Sequence, residues 1–449
     1  MRFLILTYSY PPMNNPRAVR WRAIAEYWSS QGHQVDVVSG WRPGLAREEV
    51  RGGVRIRRVG GNVTERIRAF LRPPAPTASK KPTNPITHAA KTRRTWRHWF
   101  RQAARWCHDA TWKKLYWPDS NCLWYLPAVK AAEGRLREHG YDGVISVSIP
   151  FTSHLVAHRL RPILGEAAWL VDVGDPFSFL DQCPPNNRGL YRSRNFAWEQ
   201  RVFQAATAVS VTSDETAERY RNVFSDAADR IHVIPPLATQ PRGQTVRGGG
   251  PTKLVYTGTL YRNIRNPAFL LELFGDLLGA LPERGLELHL YGLVNDCGDI
   301  IAKFQERFGT AMHVHGVVPS REAQRAVAEA DVLINLGNST NYQLPSKIVD
   351  YAATGKPLLN LVTIDDDSSA AVLASHPSTL TVHRDDYGHR PQTVNDVARF
   401  IASPPAVDQD ELEQWLARFT IDEIANRYME LVAPPQAMSL PAPPLRKAA

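Results

Sequence analysis

The sequence is poor in cysteine and has no long hydrophobic run. Its four cysteines are Cys107, Cys122, Cys183 and Cys297. They form no metal-ligand spacing and no disulfide framework, which is typical of a protein from a reducing compartment. No apolar stretch reaches the roughly 18 residues of a membrane span, and the chain begins with a predicted strand. We therefore expect a cytoplasmic protein with neither a signal peptide nor a transmembrane anchor.

The composition is not extreme in any residue class, apart from an excess of positive charge. An apolar content of 43% and a charged content of 22% are those of a globular protein. The length of 449 residues is too great for one ordinary domain and suits two. The formal charge of +10 indicates anionic partners, for which nucleotides, a membrane surface and nucleic acid are the alternatives.

Two apolar strands flank a predicted helix in the C-terminal half. Residues 330–336, A-D-V-L-I-N-L, and residues 357–362, P-L-L-N-L-V, have the apolar pattern of strands buried in a parallel sheet. Between them, Pro345 suits the start of a helix, where its missing N–H would have no partner anyway. Gly355 with the following Lys-Pro ends the helix. The pattern predicts a strand, a polar loop, a helix and a second strand.

The first turn of this helix carries hydrogen-bond donors for an anion. Ser346 and Lys347 add a hydroxyl and an ammonium group to the free N–H groups and the positive dipole end of the helix. Asp350 lies one turn further along the same face, where a carboxylate can accept hydrogen bonds from ribose hydroxyls. The spacing therefore favours a nucleotide phosphate site, with an ordinary capped helix and a surface lysine as the alternative.

The run L-P-S-K-I-V-D-Y-A-A-T-G-K-P, residues 344–357, resembles the donor-nucleotide segment of GT-B glycosyltransferases, in particular the retaining family-four enzymes of polysaccharide synthesis. The resemblance implies two Rossmann-like, doubly wound α/β domains facing across a cleft, with the nucleotide in the C-terminal domain. It implies donor contacts in two segments, at Gly258, Thr259, Tyr342, Gln343, Leu344, Pro345, Ser346 and Asp350. Two positions depart from the family: Asp350 replaces the ribose-binding Glu, and Tyr342 stands where many relatives hold the donor sugar with Glu.

The resemblance and the composition together predict the domain limits. We expect an N-terminal acceptor domain at 1–238 with a basic, irregular insertion at about 51–116, a linker at 239–252, a C-terminal donor domain at 253–405, helices that cross back at 406–432, and a disordered tail at 433–449.

The N-terminal half opens like the acceptor domain of the family. Residues 2–7 are a buried-type strand, and a loop then leads into a helix with apolar residues at helical spacing. The resemblance implies acceptor or cleft contacts at Asn14, Asn15, Arg17 and Asp175. His154, in the first turns of a later helix, is a candidate for orienting the acceptor, and a satisfied, half-buried structural histidine is the favoured alternative. The alternative interpretation of the first turn is a plain Rossmann-like unit that binds no ligand there.

Basic residues are expected to hold the donor diphosphate. Relatives carry a basic pair soon after the glycine that matches Gly258, and Arg262 and Arg265 are the candidates here, since Thr259 replaces the arginine that often follows the glycine. With Lys347 and the helix dipole they would neutralise the diphosphate without a metal. Solvated loop arginines are the alternative. The predicted catalytic residues are Arg262, Arg265, Lys347 and His154.

A segment rich in arginine and tryptophan lies at residues 93–106. On a helix, one stripe would carry Trp96, Trp99, Phe100, Ala103 and Trp106, and another would carry Arg94, Arg97, Arg101 and Arg105. This combination suits an anionic membrane surface. A helix packed on the N-terminal domain fits equally well, and nucleic acid is the weaker alternative.

The sequence thus predicts transfer of a sugar from a nucleotide diphosphate sugar, with retention of configuration, to an acceptor that is lipid-linked or a polysaccharide precursor. No cofactor, metal or nucleic acid is expected, and Asp365–Asp367 is interpreted as a solvated loop. We expect a cytoplasmic enzyme that can reach the membrane surface. The alternatives are an inactive nucleotide-binding scaffold and a UDP-sugar epimerase of the same fold, which would need acid-base carboxylates in the first domain.

Overall fold

The computed structural model describes residues 1–13, 15–61, 111, 113–180, 182, 184–239, 250–345 and 347–433. Several sequence predictions fall outside these residues and stay predictions. They concern the segment at residues 93–106, the candidates Asn14 and Ser346, most of the linker, and the tail after Ala433.

Several strands of the N-terminal half have the unbroken apolar pattern of a sheet buried on both faces, whereas Glu48–Arg51 and Val54–Val59 at one edge do not. The strands are β1 (Arg2–Leu6), β2 (Gln34–Gly40), β3 (Glu48–Arg51), β4 (Val54–Val59), β5 (Gly143–Val147), β6 (Ala168–Asp172), β7 (Ala208–Val211) and β8 (Ile231–Val233). The sheet order is β3-β4-β2-β1-β5-β6-β7-β8. Strand β3 pairs antiparallel with β4, whereas β1 pairs in parallel with both β2 and β5. The order of the strands reverses between β1 and β5.

The helices of this half alternate with the strands. They are α1 (Pro16–Ser30), α2 (Lys113–Leu115), α3 (Tyr125–Glu138), α4 (Thr152–Leu160), α5 (Arg188–Ala205) and α6 (Asp214–Val223). Helix α1 begins at Asn15, whose side chain accepts a hydrogen bond from the Ala18 amide at 2.8 Å, and it continues with proline at the first position. Its Trp21, Ile24 and Trp28 are buried at the helical spacing that the sequence predicts.

The C-terminal half contains a six-stranded sheet whose strands all pair in parallel. The strands are β9 (Lys253–Thr257), β10 (Glu287–Tyr291), β11 (Met312–Gly316), β12 (Val332–Leu336), β13 (Leu358–Val362) and β14 (Thr379–His383). Their order is β11-β10-β9-β12-β13-β14, which is the 3-2-1-4-5-6 order of a Rossmann domain. Strands β12 and β13 are buried at every residue, as their apolar sequences predict.

Helices cover both faces of this sheet. They are α7 (Ala268–Ala280), α8 (Gly298–Phe308), α9 (Ser320–Glu329), α10 (Lys347–Ala352), α11 (Ser368–Leu373), α12 (Arg390–Ala402), α13 (Gln409–Leu416) and α14 (Ile421–Val432). One core joins Leu288 and Leu290 to Phe274. The other joins Val255 and Leu333 to helices on the opposite face. Short 3₁₀ turns lie at Cys122–Trp124, Arg161–Ile163, Ser225–Arg230, Pro282–Arg284, Asn295–Cys297, Gly309–Ala311, Asp385–His389 and Ala417–Phe419.

The chain forms two compact units, one comprising Met1–Ala208 with the chain end from Val432 and the other Val209–Leu431. Two parallel, Rossmann-like α/β sheets confirm the predicted doubly wound architecture. The exact domain limits given above stay predictions. Among the described residues, no helix is both long enough and apolar enough to cross a membrane.

Candidate functional site

The C-terminal sheet reverses its strand order between β9 and β12, which are paired through Val332–Leu254 and Leu333–Val255. In open α/β sheets, ligands bind at the carboxyl ends of the strands beside this reversal. The loop after β9 begins at Gly258, and the loop after β12 leads to the first turn of α10. Both loops carry residues that the sequence predicts to bind the donor.

Lys347 opens α10 and points to the end of β9. Its ammonium donates a hydrogen bond to the Thr257 carbonyl at 2.8 Å and lies 3.4 Å from the Thr257 hydroxyl. Much of the residue is exposed, but the ammonium itself is in a partly buried contact. Burial, helped by the nearby positive charge of Arg265 and opposed by Asp350, lowers the pKa of Lys347 to about 8. The ammonium therefore lies where a further negative group would stabilise it.

Arg265 lies beside this lysine and is held by polar groups without charge. Its Nη2 donates to the Asn338 side-chain oxygen at 2.7 Å, and Nη1 lies 3.4 Å from the Thr259 carbonyl. Its Nε is buried and makes no hydrogen bond to the residues that the structure describes. Within the same described residues, no salt bridge joins Arg265 or Lys347 to an acid. The two cations therefore form a site of unbalanced positive charge.

Arg262 is placed differently from Arg265. Its guanidinium forms a salt bridge with Asp299 at the start of α8 and donates to the Asp296 carbonyl at 2.9 Å. The Arg262 amide also donates to the Asp296 carboxylate at 3.0 Å. The structure thus brings Arg265 to Lys347, whereas Arg262 is already paired with Asp299 in the first turn of α8.

Asp350, the predicted ribose ligand, holds the chain at Thr239 in this structure. Its Oδ1 accepts hydrogen bonds from the Thr239 amide at 2.7 Å and from the Thr239 hydroxyl at 2.9 Å. A ribose would therefore have to share or displace these contacts. The sequence could not reveal them, because the two residues lie 111 positions apart.

The loop between β12 and α10 is held by side chains that donate hydrogen bonds to its backbone carbonyls. The Gln343 carbonyl accepts hydrogen bonds from the Asn338 side chain at 2.7 Å and from the Ser368 hydroxyl at 3.2 Å. The Tyr342 carbonyl accepts from the Thr216 hydroxyl at 2.9 Å, and the Tyr342 ring lies 4.4 Å from the Arg219 guanidinium. Asn338 therefore connects the loop to Arg265, a role that the sequence analysis missed.

The residues before Lys347 complete this loop. Leu344 packs against the core of Val255 and Leu333, and the carbonyl of buried Pro345 accepts a hydrogen bond from the Ile348 amide at 3.0 Å. Pro345 thus stands at the entrance of the helix, where the sequence predicts it.

Two glycines allow the loop after β9 to lie close to its neighbour. The Gly258 amide donates to the Tyr291 carbonyl at 2.8 Å. Gly292 has a φ of +121°, and a Cβ atom there would lie 2.0 Å from the Gly258 carbonyl oxygen. Only glycine fits this position. Gly292 therefore fixes the course of the segment that carries Thr259.

The Asp365–Asp367 interpretation needs a correction. Asp365 and Asp366 are exposed as predicted, but Asp367 is 2% exposed. Its carboxylate caps α11 by accepting hydrogen bonds from the Ser369 amide at 2.7 Å and the Ala370 amide at 3.2 Å. An Asp before Ser-Ser and an apolar run is an N-cap signal, so the sequence contained this information.

The N-terminal unit has a pocket of about 110 Å³ at the carboxyl ends of β5 and β6. Its lining includes Ser148, Ile149, His154, Asp175, Phe177 and Leu180. The lining is mostly apolar, with few polar groups that could orient a ligand. Glu199, which the sequence analysis missed, also lines the pocket and is 1% exposed. It accepts hydrogen bonds from the Phe177 amide at 3.0 Å and the Ser178 amide at 2.9 Å, which fixes the pocket wall.

His154 belongs to the lining of this pocket and has one ring nitrogen without a hydrogen-bond partner among the described residues. The residue is buried, and its Nδ1 lies 2.8 Å from the Ser146 hydroxyl, whereas Nε2 has no hydrogen-bond partner among the described residues. Burial lowers the pKa of His154 to about 3, although Asp172 acts in the opposite direction. The ring is therefore neutral at physiological pH and can make a hydrogen bond through Nε2.

Arg17 is already neutralised. Its Nη1 forms a salt bridge with Asp172 at 3.0 Å, and Nη2 donates to the Val173 carbonyl at 2.9 Å. Asp172 is fully buried and also accepts from the Trp21 indole at 2.7 Å. A Cβ atom at Gly174 would lie 2.5 Å from the Arg17 Nε, so the glycine leaves room for the guanidinium.

Comparisons with known proteins agree with this architecture. The glycosyl transferase 4-like domain family matches residues 18–236. No curated protein sequence matches the chain. Over 96% of this chain, sucrose-phosphate synthase from Thermosynechococcus elongatus superposes with a TM-score of 0.63 and 15% identity, covering 97% of that protein. The catalytic domain of starch synthase IV from Arabidopsis thaliana, bound to ADP and acarbose, gives a TM-score of 0.56 at 11% identity, over 96% of this chain and 98% of that domain.

A third similar structure, a glycosyltransferase from Rickettsia africae, covers 96% of this chain and 97% of its own with a TM-score of 0.54 and 11% identity. At these low identities the structural likenesses show the fold.

Proposed function

Because the chain has the fold of the GT-B glycosyltransferases it resembles and its residues 18–236 match the glycosyl transferase 4-like domain family, we propose that it transfers a sugar from a nucleotide diphosphate sugar to an acceptor with retention of configuration. The proposal rests on the unbalanced positive charge at the end of β9. Retention follows from the resemblance of residues 344–357 to the retaining enzymes.

Lys347 and Arg265 are the observation that carries the proposal. Two neighbouring cations without an acid partner in the described residues repel each other, and a diphosphate would relieve that repulsion. The guanidinium can bind two phosphate oxygens at once, and the helix N-terminus adds its dipole. The site therefore suits a leaving group whose negative charge grows as the reaction proceeds.

The proposed step conserves atoms and charge. The bond between the anomeric carbon and the β-phosphate oxygen breaks, and its electron pair stays on the phosphate. The acceptor oxygen forms a bond to the same carbon on the same face of the sugar, and its proton passes to a phosphate oxygen. Lys347 and Arg265 stabilise the departing diphosphate, so this step needs no metal ion.

We place the acceptor in the pocket of the N-terminal unit. His154 offers Nε2 to an acceptor hydroxyl, and Asp175 provides a partly exposed carboxylate at the same pocket. Apolar walls at Ile149, Phe177 and Leu180 suit the face of a sugar ring or part of a lipid. A lipid-linked or polysaccharide precursor, met at the membrane surface, is consistent with the net charge of +10.

The acceptor class can be tested with lipid vesicles. Binding to anionic but not neutral vesicles, weakened by salt, would support a membrane acceptor. If the protein binds neither kind of vesicle at low salt, an acceptor that is free in solution is favoured.

A panel of UDP-, GDP-, ADP- and dTDP-sugars tests the donor site. The cognate donor should raise the melting temperature by an amount that grows with the logarithm of its concentration above Kd, and it should be hydrolysed slowly without acceptor. Lys347→Ala and Arg265→Ala should each weaken donor binding by about tenfold or more, the scale of one lost charge-assisted contact.

Lys303→Ala and Arg321→Ala are matched controls, because both side chains are exposed and carry the same charges. If all four variants bind the donor like the wild type, the site assignment is wrong. If no nucleotide sugar shifts the melting temperature or is consumed, the proposed activity itself fails.

A further inference from the structure

A cluster of histidines lies on the sheet of the C-terminal unit, away from the loops described above. Glu287 and His289 belong to β10, and His313 and His315 belong to the edge strand β11. Residues two apart on a strand share a face, and His289 is directly paired with His313 in the register. The sequences E-L-H and H-V-H therefore project these side chains from one face of two neighbouring strands.

Three donor atoms of this cluster converge. The Nε2 of His289 lies 3.1 Å from Oε2 of Glu287, and the Nε2 of His313 lies 3.9 Å from Oε1. One ligand atom from each residue falls within 4.8 Å of the others. Bonds of about 2.0–2.1 Å to a tetrahedral zinc ion would place two ligands about 3.3 Å apart. The His289 and His313 rings are stacked, with centroids 4.5 Å and planes 19° apart, so the two rings must turn relative to each other to direct their lone pairs at a common ion.

In one neutral tautomer of His289, Nε2–H donates to Glu287 and no cation is needed, whereas the other tautomer favours a cation. The Nδ1 of His289 lies 3.1 Å from Nε2 of His315, so an N–H at Nδ1 can donate to that acceptor. A neutral imidazole then presents the lone pair of its own Nε2 to the Glu287 carboxylate. Two acceptors at 3.1 Å repel each other unless a proton or a metal ion lies between them. Ligating histidines commonly donate their second ring N–H to an outer acceptor in this way.

The other ligands lack a competing partner. The Nε2 of His313 is shielded from water and has no hydrogen-bond partner among the described residues. Lys253 stands opposite Glu287 in the register of β9, but no salt bridge joins them. The side chains of Glu287, His289 and His313 are 27%, 13% and 38% exposed, so an ion can enter from solvent.

We propose that Glu287, His289 and His313 bind a divalent transition metal of the zinc class, with His315 as the outer hydrogen-bond partner of His289. Two imidazole nitrogens and one carboxylate oxygen are a donor set that zinc accepts, and water completes the coordination. The ligands come from two strands, so the ion clamps the edge strand β11 to β10. An edge strand has neighbours on one side only, so this clamp secures the strand that is most easily lost.

Metal titration of the full-length, untagged protein tests the site. The protein is treated with EDTA, dialysed into metal-free buffer, and titrated with Zn²⁺ while bound zinc is counted by elemental analysis. We expect one zinc per chain and a rise in melting temperature of about 2–4 °C at saturation. Cobalt substitution should give the visible absorption of a four-coordinate ion.

Variants identify the ligands. His289→Ala and His313→Ala should each weaken zinc binding by about tenfold or more, and His315→Ala by a similar or smaller factor through its outer hydrogen bond. Glu287→Gln keeps the shape of the side chain and removes its charge, so it separates ligation from packing. His389→Ala is the matched control, since that residue is exposed in the turn before α12.

Zinc affinity that is unchanged in both His289→Ala and His313→Ala would overturn the proposal, as would the absence of bound zinc in the wild type at micromolar concentrations. If a variant fails to fold, Glu287→Gln and the cobalt spectrum of the wild type decide the question. Donor binding at Lys347 and Arg265 does not depend on this site, and a nucleotide-sugar melting shift that persists in His313→Ala distinguishes the two proposals.

Discussion

The two units carry the same topological feature with opposite electrostatics. Each sheet reverses its strand order once in the 3-2-1-4 pattern, at β1–β5 in the N-terminal half and at β9–β12 in the C-terminal half. Beside the first reversal, Arg17 is balanced by buried Asp172. Beside the second, Arg265 and Lys347 have no acid partner among the described residues.

This difference separates two kinds of ligand site. The N-terminal pocket is lined by a neutral histidine and two acids, Asp175 and Glu199, and by no cation among the described residues, which suits a sugar hydroxyl rather than a phosphate. Two unbalanced cations at the C-terminal edge suit a diphosphate. The topology favours a ligand at both edges, and we propose that the local charge balance decides which ligand each edge can hold.

Reversing one charge at the C-terminal edge should produce the largest effect. Lys347→Glu replaces an attraction to the diphosphate with a repulsion, so we expect donor affinity to fall by about a hundredfold or more. Calorimetric titration with the cognate donor measures this change. Lys303→Glu makes the same reversal at an exposed position and should leave affinity within about twofold of the wild type. A loss of similar size in both variants would mean that general charge, rather than this site, attracts the donor.

Removing the balanced cation at the N-terminal edge should instead lower stability. Arg17→Ala removes the salt bridge of the buried Asp172 carboxylate, which keeps the Trp21 indole as a donor at 2.7 Å. Arg17 is 15% exposed, so we expect a loss of about 2 kcal/mol in the free energy of unfolding, below the full cost of breaking a buried pair. Denaturant unfolding measures the loss.

Arg22→Ala is the control for this experiment. Arg22 forms an exposed pair with Glu26 at 3.8 Å, with side chains that are 38% and 34% exposed. Such surface pairs contribute about 0–1 kcal/mol. Equal losses in the two variants would contradict the view that Arg17 balances a buried charge.

The pH dependence of donor binding sharpens the comparison. The folded-state pKa of Lys347 is about 8, so the ammonium is charged below this pH and neutral above it. Donor affinity should fall by about tenfold as pH rises through 8, although a bound diphosphate will favour uptake of a proton. Lys347→Arg should remove this dependence, because arginine stays charged. A pH profile that is identical in wild type and Lys347→Arg would show that another group titrates.

The free energy of unfolding should rise with pH over a range in which donor affinity falls. Between pH 8 and the ordinary lysine pKa of 10.5, the unfolded chain keeps a proton that folded Lys347 has lost. Stability without ligand therefore gains a contribution from this residue as pH rises through that range. Thermal unfolding of wild type and Lys347→Arg at several pH values measures the contribution.

The sequence predicted features that depend on neighbouring residues, but it did not predict contacts between residues far apart in the chain. Apolar runs predicted strands such as β12 and β13, and Pro345 predicted the entrance of α10. The spacing could not separate Arg262 from Arg265, because the partners of Arg262 lie more than 30 residues away, at Asp296 and Asp299.

Distant pairing also explains what the sequence analysis did not find. His289 meets His313 only because β10 and β11 pair in one particular register. Asp350 meets Thr239 across 111 positions of the chain. Asp367 differs, because the local sequence pattern predicts its capping role and the sequence analysis overlooked that signal.

The smallest effect is expected from chelation of metal ions. If Lys347, Arg265 and the start of α10 neutralise the diphosphate, sugar transfer should change by less than about twofold in EDTA. The same chelator should empty the proposed site at Glu287, His289 and His313 and lower the melting temperature, so transfer is measured well below that temperature. Complete loss of transfer that Mg²⁺ or Mn²⁺ restores would contradict a purely cationic diphosphate site. An unchanged rate in a sample whose melting temperature has fallen would show that the metal clamps the sheet and that the cations of α10 and the loop after β9 carry the reaction.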